Sequence, residues 1–512
     1  MTRVPILSIV TWAPFVSALI IMALARHRPQ LVRWTATAGS AISLAGALWL
    51  CSAYDRVGAG FQFHESLPML PSLGISYNLA IDGMGLVLVL LTAIILFAGV
   101  FASWTVKTRG QEFYALLLLL VTGVFGVFVS LDLFVFFLFY EIAVLPMYLL
   151  IGIWGSSGEV KPQGIFGWAF KRTGVGTKEY AAMKLTLYLL LGSAFILVGI
   201  FALYTAGGSR SFSFLDLQQV HFDPRLQSWV FLAFYVGFGI LAGIWPLHTW
   251  SPDGHASAPT AVSMLHAGVL MKLGAYGVVR LGLGLTPMGA TEWAWLVGAI
   301  ACINIVYGAL SAMAQTDLKY VVAYSSVSHM GIVMLGLATL TEQGLNGAVF
   351  QMVAHGIMTG LFFALVGLVY EKAHSRAIFQ MGGFAQMMPG IATAFAVGGF
   401  SSLGLPATAG FVAEFLTFIG AWASAHTWWL FPAVIGAFLT SIYVLRVVRQ
   451  IFWGAKSTDP HFQNLPDAQG TEWVALVLLV CVLILFGVAP NLIVGPIDTA
   501  TVPLLRGMGV MR

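Results

Sequence analysis

Apolar runs of roughly 20 residues recur along the whole chain, and each is long enough to cross a bilayer as a helix. Short polar or basic segments separate them, so the pattern predicts an all-α integral membrane protein of about fourteen transmembrane helices. A polar-to-mixed loop is predicted between spans two and three, through Asn78. The predicted spans are Val4–Ala25, Trp34–Ala53, Gly85–Val106, Phe113–Ser130, Leu133–Trp154, Ala182–Ala206, Trp229–Leu247, Thr260–Leu283, Trp293–Met313, Leu318–Thr339, Gly344–Tyr370, Gly390–Ala421, Trp428–Phe452 and Trp473–Val494.

Glycine and proline interrupt two of these spans, the seventh at Ala242–Pro246 and the twelfth at Ser402–Pro406. Such breaks free backbone groups that protein or water must satisfy, and paired broken helices are typical of a transporter site. Ordinary packing glycines and prolines are the alternative explanation. Because the breaks lie five spans apart, we predict two five-helix repeats. The chain is then one membrane domain, 1–512, composed of N-terminal helices 4–106, repeats 113–283 and 293–452, and a last helix 473–494.

Lysine and arginine in the short loops predict the orientation, because basic loops stay on the cytoplasmic side. They concentrate in odd-numbered loops, which places both termini on the periplasmic side of a multi-pass protein of the bacterial inner membrane. The residues are Arg26, Arg28, Arg33, Lys107, Arg109, Lys161, Lys171, Arg172, Lys178, Lys372, Arg376, Arg446, Arg449 and Lys456.

Composition excludes several classes of function. Hydrophobic residues make up 59% of the chain and charged residues 9%, a balance that a water-soluble domain does not have. The net charge of +4 reflects the basic loops, so no nucleic-acid partner is expected. The cysteines Cys51, Cys302 and Cys481 are far apart and form no iron–sulfur or haem motif, and no nucleotide-binding loop occurs. We therefore expect no cofactor and no redox centre on this chain.

Three charged residues lie inside apolar spans: Glu141 in span five, Lys272 in span eight and Glu414 after the break in span twelve. A charge at mid-bilayer costs at least ~2.5–3.5 kcal/mol, so each needs a role. Because burial destabilises the charged form, such groups can exchange protons near neutral pH. We predict a proton path. The alternative is a buried ion pair between Glu141 and Lys272 that only fixes helix packing.

Histidines in the same segments add groups that titrate near pH 6.5. They are His248, His266, His329 and His355, and we assign His329 and His355 to the relay ahead of a packing role. Lys184, near the start of span six, is a weaker candidate because its long side chain could snorkel to the interface. The histidines lack the spacing of a helical zinc site, so no metal is expected.

Four segments together resemble a known family. They are FYEIAVLPMY at 139–148, PLHTWSPDGH at 246–255, AQTDLKYVVAYSSVSHMG at 314–331 and GFVAEF at 410–415. They are similar to the antiporter-like membrane subunits of respiratory complex I, most closely the M type, the counterpart of mitochondrial NADH dehydrogenase subunit 4. The resemblance extends from about span three to span fourteen. It implies a fourteen-helix fold with inverted repeats and a central hydrophilic axis.

The resemblance also implies residue roles. Glu141 matches the family's helix-five glutamate at the contact with the neighbouring subunit, Lys272 its central lysine, and Glu414 the glutamate of the broken twelfth helix, the proposed exit. His248, His329 and His355 fall on family histidine positions, whereas His266 is uncommon there and adds a protonatable group. The implied partners are L-type and N-type antiporter-like chains, the lipid bilayer, protons and water.

One position departs from the family pattern. Leu241 occupies the place where a helix-seven lysine usually pairs with the helix-five glutamate. Lys184 or His248 could substitute. The resemblance predicts a proton-translocating subunit that couples quinone reduction elsewhere in the complex to pumping. Two alternatives stay open: a subunit of a multisubunit cation/proton antiporter or of a hydrogenase- or ferredoxin-linked complex, and a non-pumping structural element.

Overall fold

The computed structural model describes residues 4–24, 28–58, 60–157, 174–208 and 210–511. The basic residues Arg26, Lys161, Lys171 and Arg172, on which part of the predicted orientation rests, lie outside these ranges. The long helices are α1 (Ile6–Leu24), α2 (Pro29–Ala53), α3 (Gly83–Ala102), α4 (Gly110–Val129), α5 (Leu133–Trp154), α6 (Lys178–Ala206), α7 (Pro224–Ala242), α8 (Trp250–Ser257), α9 (Thr260–Leu283), α10 (Pro287–Ala314), α11 (Leu318–Ala338), α12 (Glu342–Ala373), α13 (Pro389–Ser402), α14 (Ala409–Ala423), α15 (Leu430–Val448), α16 (Glu472–Val488) and α17 (Asn491–Gly507).

The all-helical membrane fold is confirmed. Within the described ranges, 12 helices are long and apolar enough to cross a membrane, or 13 if the bent pair α16 and α17 is one span. The helix α14 is apolar but shorter, and the halves of the predicted twelfth span are therefore not counted among the 12. The number fourteen and the repeat arrangement stay predictions.

Both predicted breaks are present. The helix α7 ends at Ala242, Gly243 follows in the left-handed region with φ 74°, and α8 begins at Trp250. The helix α13 ends at Ser402, Gly404 follows with φ 72°, and α14 begins at Ala409. Glycine adopts these angles without the steric penalty that a Cβ brings. At the first break the freed amide of Trp245 donates to the Asn304 side chain at 2.7 Å.

Burial explains which helices form the core. The helices α9, α11 and α12 are buried along almost their whole length, whereas α1, α2 and α6 expose much of their surface. A helix that is apolar on every side and lies among other helices exposes no face to lipid. These three helices, which carry Lys272, His329 and His355, are the most deeply buried of the long helices in the described part of the chain.

The predicted loop through Asn78 is wrong in part, because an antiparallel hairpin forms there from β1 (Gln62–Leu70) and β2 (Ile75–Ile81). Asp132 anchors it: this side chain caps α5 through the amides of Phe134 and Val135 and also accepts the amide of Ser76 at 2.9 Å. Burial raises the pKa of Asp132, and these hydrogen bonds oppose the shift. The hairpin is thus tied to the start of α5.

Two further features differ from the expected spans. The last predicted span, Trp473–Val494, is not one helix, because the chain bends by 67° between α16 and α17. The predicted eighth span has the expected bounds, but two π-helical segments, His266–Leu270 and Val278–Leu283, interrupt its α-helical hydrogen bonding. Single π turns widen a helix locally and are frequent at functional sites.

Candidate functional site

Lys272 lies in the middle of α9, directly after the first π-helical segment. Its side chain is fully buried. The ammonium donates to the backbone carbonyl of Ala267, within that segment, and contacts Nδ1 of His355 at 2.6 Å. The ion pair that the packing hypothesis requires between Glu141 and Lys272 does not occur in the described part of the chain.

From His355 the ionisable groups continue toward the second break. The rings of His355 on α12 and His329 on α11 have centroids 5.4 Å apart. His329 Nδ1 lies 3.6 Å from Oε1 of Glu414 on α14, and both side chains are buried. The structure thus brings together four predicted residues in the order Lys272, His355, His329, Glu414. We call these four residues the relay.

Polar neighbours orient the relay histidine next to the break. His329 contacts the Gln351 side-chain amide through Nδ1 at 3.1 Å and the Ser402 hydroxyl through Nε2 at 3.2 Å. Ser402 is the last residue of α13, so the break itself supplies one of these partners. A Cβ on Gly404 would lie 2.8 Å from Oε2 of Glu414, which shows that glycine leaves room for the carboxylate beside the break.

Glu141 lies apart from the relay. It is partly buried on α5. No lysine, arginine or histidine within the described ranges comes within 4.0 Å of it. Leu241, at the position of the expected lysine, is fully buried near the end of α7.

Lys184 and His248 were suggested as substitutes for the missing helix-seven lysine, but neither forms an ion pair with Glu141 in the described ranges. Lys184 forms a 2.8 Å ion pair with Asp253 of α8, whose other oxygen accepts from the Tyr320 hydroxyl at 3.2 Å. Lys184 therefore has a carboxylate partner, and both side chains of this pair are partly exposed. His248 is buried against the Tyr307 ring, with 5.0 Å between ring centroids.

His266 belongs to a second cluster, together with two residues that the sequence reasoning did not single out. Its ring stacks on His255 at 3.9 Å between centroids, and both rings are fully buried. Lys319, at the start of α11, is buried and donates to the Ala258 carbonyl at 2.7 Å. His255 lies in the segment 246–255 and Lys319 in the segment 314–331, both of which carry the family resemblance. A search for every histidine and lysine in these segments could have found them.

The chemistry available to these clusters is proton transfer. Lysine, histidine and glutamate each bind or release one proton, and their contacts here run from the middle of α9 to the second break. No group of three or more His, Cys, Asp or Glu side chains in the described ranges is arranged to hold a metal ion.

Comparison with known proteins identifies the family. The family described as NADH:quinone oxidoreductase/Mrp antiporter, transmembrane, matches residues 169–440, more than half of the chain. The chain belongs to this family. All four relay residues lie inside the matched region, whereas Glu141 lies before it.

Relatives in the NADH:quinone oxidoreductase/Mrp antiporter family align along almost the whole chain. NAD(P)H-quinone oxidoreductase chain 4 2 of Thermosynechococcus vestitus is 36% identical over 510 residues, covering 98% of this chain and 92% of that protein. NADH-quinone oxidoreductase subunit M of Rhodobacter capsulatus is 33% identical over 516 residues, covering 98% and 96%.

Solved structures agree with the fold. A chain of respiratory complex I from Thermus thermophilus with bound NADH superposes with a TM-score of 0.86 at 27% identity, covering 98% of this chain and 99% of that chain. A chain of the Mrp complex from Dietzia sp. DQ12-45-1b gives 0.82 at 21% identity, covering 100% of each chain, a likeness of fold alone.

Proposed function

We propose that this chain is the M-type antiporter-like subunit of an NADH:quinone oxidoreductase and that it translocates protons across the membrane. The observation that carries the proposal is the relay, four buried ionisable side chains that follow one another from Lys272 to Glu414. Charged or titratable groups at this depth are costly, and they mark ion paths in membrane proteins. The names and full-length similarity of the relatives support the parent complex.

The relay geometry suggests a sequence of transfers. A proton on Lys272 passes to Nδ1 of His355 through their direct contact. An imidazole that takes a proton on one nitrogen can release one from the other, so Nε2 of His355 is the donor toward His329. That nitrogen has no hydrogen-bond partner among the described residues, and a water between the two rings would connect them. His329 then protonates Glu414 beside the second break.

In this proposal, other chains of the complex determine the direction of proton transfer. We infer that the redox centres lie on other chains and that quinone reduction there changes the electrostatic potential along the membrane arm. Protons and water are then the only substrates of this subunit, and it binds no cofactor. Its partners are the L-type and N-type chains and the surrounding lipid. The basic loops support a bacterial inner-membrane location with both termini on the periplasmic side.

The surroundings of Glu141 support a second candidate function. Because Leu241 replaces the usual lysine and no cation lies beside the carboxylate in the described ranges, the chain could be a structural element that does not pump. Our proposal assigns Glu141 to the contact with a neighbouring subunit, where a cation from that subunit would complete the pair. A structural element needs no connected relay, and the relay is the reason that we prefer pumping.

The test compares Lys272→Met with Lys372→Met in the whole complex reconstituted into liposomes. Lys372 is the matched control because it is also largely buried but pairs with Glu472 at 3.0 Å, away from the relay. We expect Lys272→Met to abolish the proton uptake that accompanies NADH oxidation, measured with a pH-sensitive dye, and Lys372→Met to retain it. Full pumping by an assembled Lys272→Met complex would contradict the proposal. Sodium–proton exchange without NADH oxidation would instead indicate an antiporter.

A further inference from the structure

An apolar groove of about 760 Å³ runs between α1 and α2 on their outer face. The two helices pack closely behind it, since a Cβ on Gly39 would overlap the Ser17 hydroxyl. The lining combines small side chains with larger exposed ones, among them Ala13, Ser17, Ala38, Ile20, Trp34 and Ile42. A concave apolar surface contacts a bound chain on several sides, whereas a flat surface contacts it on one. The groove is therefore suited to hold an apolar chain in one position.

A second cavity, of about 360 Å³, lies between the start of α2 and the start of α4. Its lining includes four basic side chains, Arg28, Arg33, Lys107 and Arg109, and one carboxylate, Glu112. Glu112 pairs with Arg109 at 3.4 Å, and no carboxylate in the described ranges lies within 4.0 Å of the other three cations. We call this the basic cavity, and its positive charge is mostly without a partner in the described part of the chain.

Two tryptophans connect the groove with the basic cavity. Trp34, the groove residue nearest the start of α2, packs edge-on against Trp104 with 5.5 Å between ring centroids. The Arg33 guanidinium of the basic cavity lies over the same Trp104 ring, 5.8 Å from its centroid. Tryptophan is enriched at the level of the lipid headgroups, with lysine and arginine just outside it. The groove thus meets the basic cavity at the depth where lipid phosphates lie.

An anionic phospholipid matches both features. Its acyl chain fits an apolar groove, and its phosphate supplies the anion that Arg28, Arg33 and Lys107 lack. Each basic side chain beside a membrane surface raises the affinity for anionic lipid roughly fivefold. A zwitterionic lipid gains less, because its own ammonium offsets the phosphate. A helix of another protein could cover the groove, but it would leave the basic cavity without an anion unless it carried acidic residues at that end.

We propose that the groove and the basic cavity form one binding site for an anionic phospholipid, with an acyl chain between α1 and α2 and the phosphate at Arg28 and Arg33. The site lies outside the region 169–440 that matches the family, and it does not depend on whether the chain pumps. The helices α1 and α2 are among the least buried of the long helices in the described ranges. A ligand that binds only the folded state stabilises it, so the lipid holds this helix pair against the start of α4.

The test uses the purified whole complex and a phosphatidylglycerol probe that carries a photoreactive diazirine in one acyl chain. After illumination, peptide mass spectrometry identifies the labelled residues. We expect labelling in the α1–α2 groove, and we expect unlabelled phosphatidylglycerol to compete with the probe much better than phosphatidylcholine with the same acyl chains. Ala38→Phe fills the groove and should abolish this labelling. Ala53→Phe is the matched control, because Ala53 is also exposed on α2 but lies at its other end.

A pair of double variants tests the charges. Arg28→Gln with Arg33→Gln should weaken probe binding roughly 25-fold, because it removes two cations from the site. Arg449→Gln with Lys456→Gln removes two exposed cations from another basic loop and should leave labelling of the groove unchanged. Arg28→Lys with Arg33→Lys keeps both charges and should retain most of the binding, which separates loss of charge from loss of folding.

Three results would overturn the proposal. Equal competition by phosphatidylglycerol and phosphatidylcholine would show that the basic cavity does not select an anionic headgroup. Absence of labelling in the groove of the wild-type complex would show that a protein, and not a lipid, covers it. Unchanged labelling in Ala38→Phe, or an equal loss in the lysine and glutamine double variants, would show that the groove and the charges do not form the site. None of these results bears on proton pumping, so the proposed function is tested separately.

Discussion

Gly404→Ala and Gly243→Ala form a matched pair that tests whether the second break serves the relay. Both glycines sit just after a helix end with φ near the same value, 72° and 74°. An L-residue in this conformation costs about 1–2 kcal/mol, so the backbone penalty should be similar in the two variants. What differs is the space that the new methyl group enters.

At Gly404 the added Cβ would lie 2.8 Å from Oε2 of Glu414, and at Gly243 it would lie 2.7 Å from the terminal methyl of Met271. The methionine is flexible and can move aside. The carboxylate must retreat by roughly half an ångström to reach ordinary van der Waals contact, and its 3.6 Å approach to His329 then changes. We therefore expect similar losses of thermal stability but a loss of pumping only in Gly404→Ala.

The assay has two parts. The first is thermal unfolding of the purified complex, measured as the amount of subunit that native gels still show in the complex after heating. It reports the energetic cost of placing alanine in the left-handed backbone conformation. Dye-detected proton uptake per NADH oxidised reports the relay. Equal loss of pumping in the two variants would refute the reasoning, because the effect would then come from strain at either break. Normal pumping in Gly404→Ala would show that the position of Glu414 beside the break is not important for proton transfer.

Two other predictions follow from the site and the hairpin. Glu141→Gln should abolish coupled pumping in an assembled complex while NADH oxidation by the uncoupled complex continues; intact pumping would favour the structural element over our proposal. Asp132→Ala should destabilise the subunit by about 1 kcal/mol or more, because it removes the cap of α5 and the tie to the hairpin, and thermal unfolding measures this. Ser76→Ala is the control, since its backbone amide still donates to Asp132, and a loss equal to that of Asp132→Ala would contradict the assignment.

Part of the candidate site could be predicted from the sequence, because its residues are exceptions to the rule that membrane spans consist of apolar residues. A charge or histidine in an apolar run is visible without knowing its neighbours, which is why Glu141, Lys272, Glu414, His329 and His355 could be selected. Lys319 and His255 break the same rule less visibly, since each stands near the end of a helix beside polar residues. Their importance lies in burial and in what they face, and both depend on other helices.

The hairpin shows that secondary structure, too, can depend on contacts that the sequence does not reveal. The strand β1 is mostly exposed and contains Pro68, so its alternation of apolar and polar residues is weak. The pairing with β2 and the anchoring by Asp132 stabilise it, and both contacts join segments that the sequence presents as a loop. The bend before α17 is likewise visible only in space.

The sequence by itself determined the membrane class, the approximate bounds of the helices and the two breaks. A bilayer imposes the length and composition of each span, and glycine and proline act on their own backbone. Only the tertiary structure decided that Lys272 meets His355, 83 residues away, that His329 meets Glu414, and that Lys184 turns to Asp253 and not to Glu141. These contacts join different helices, and the order of a proton path depends on how those helices pack.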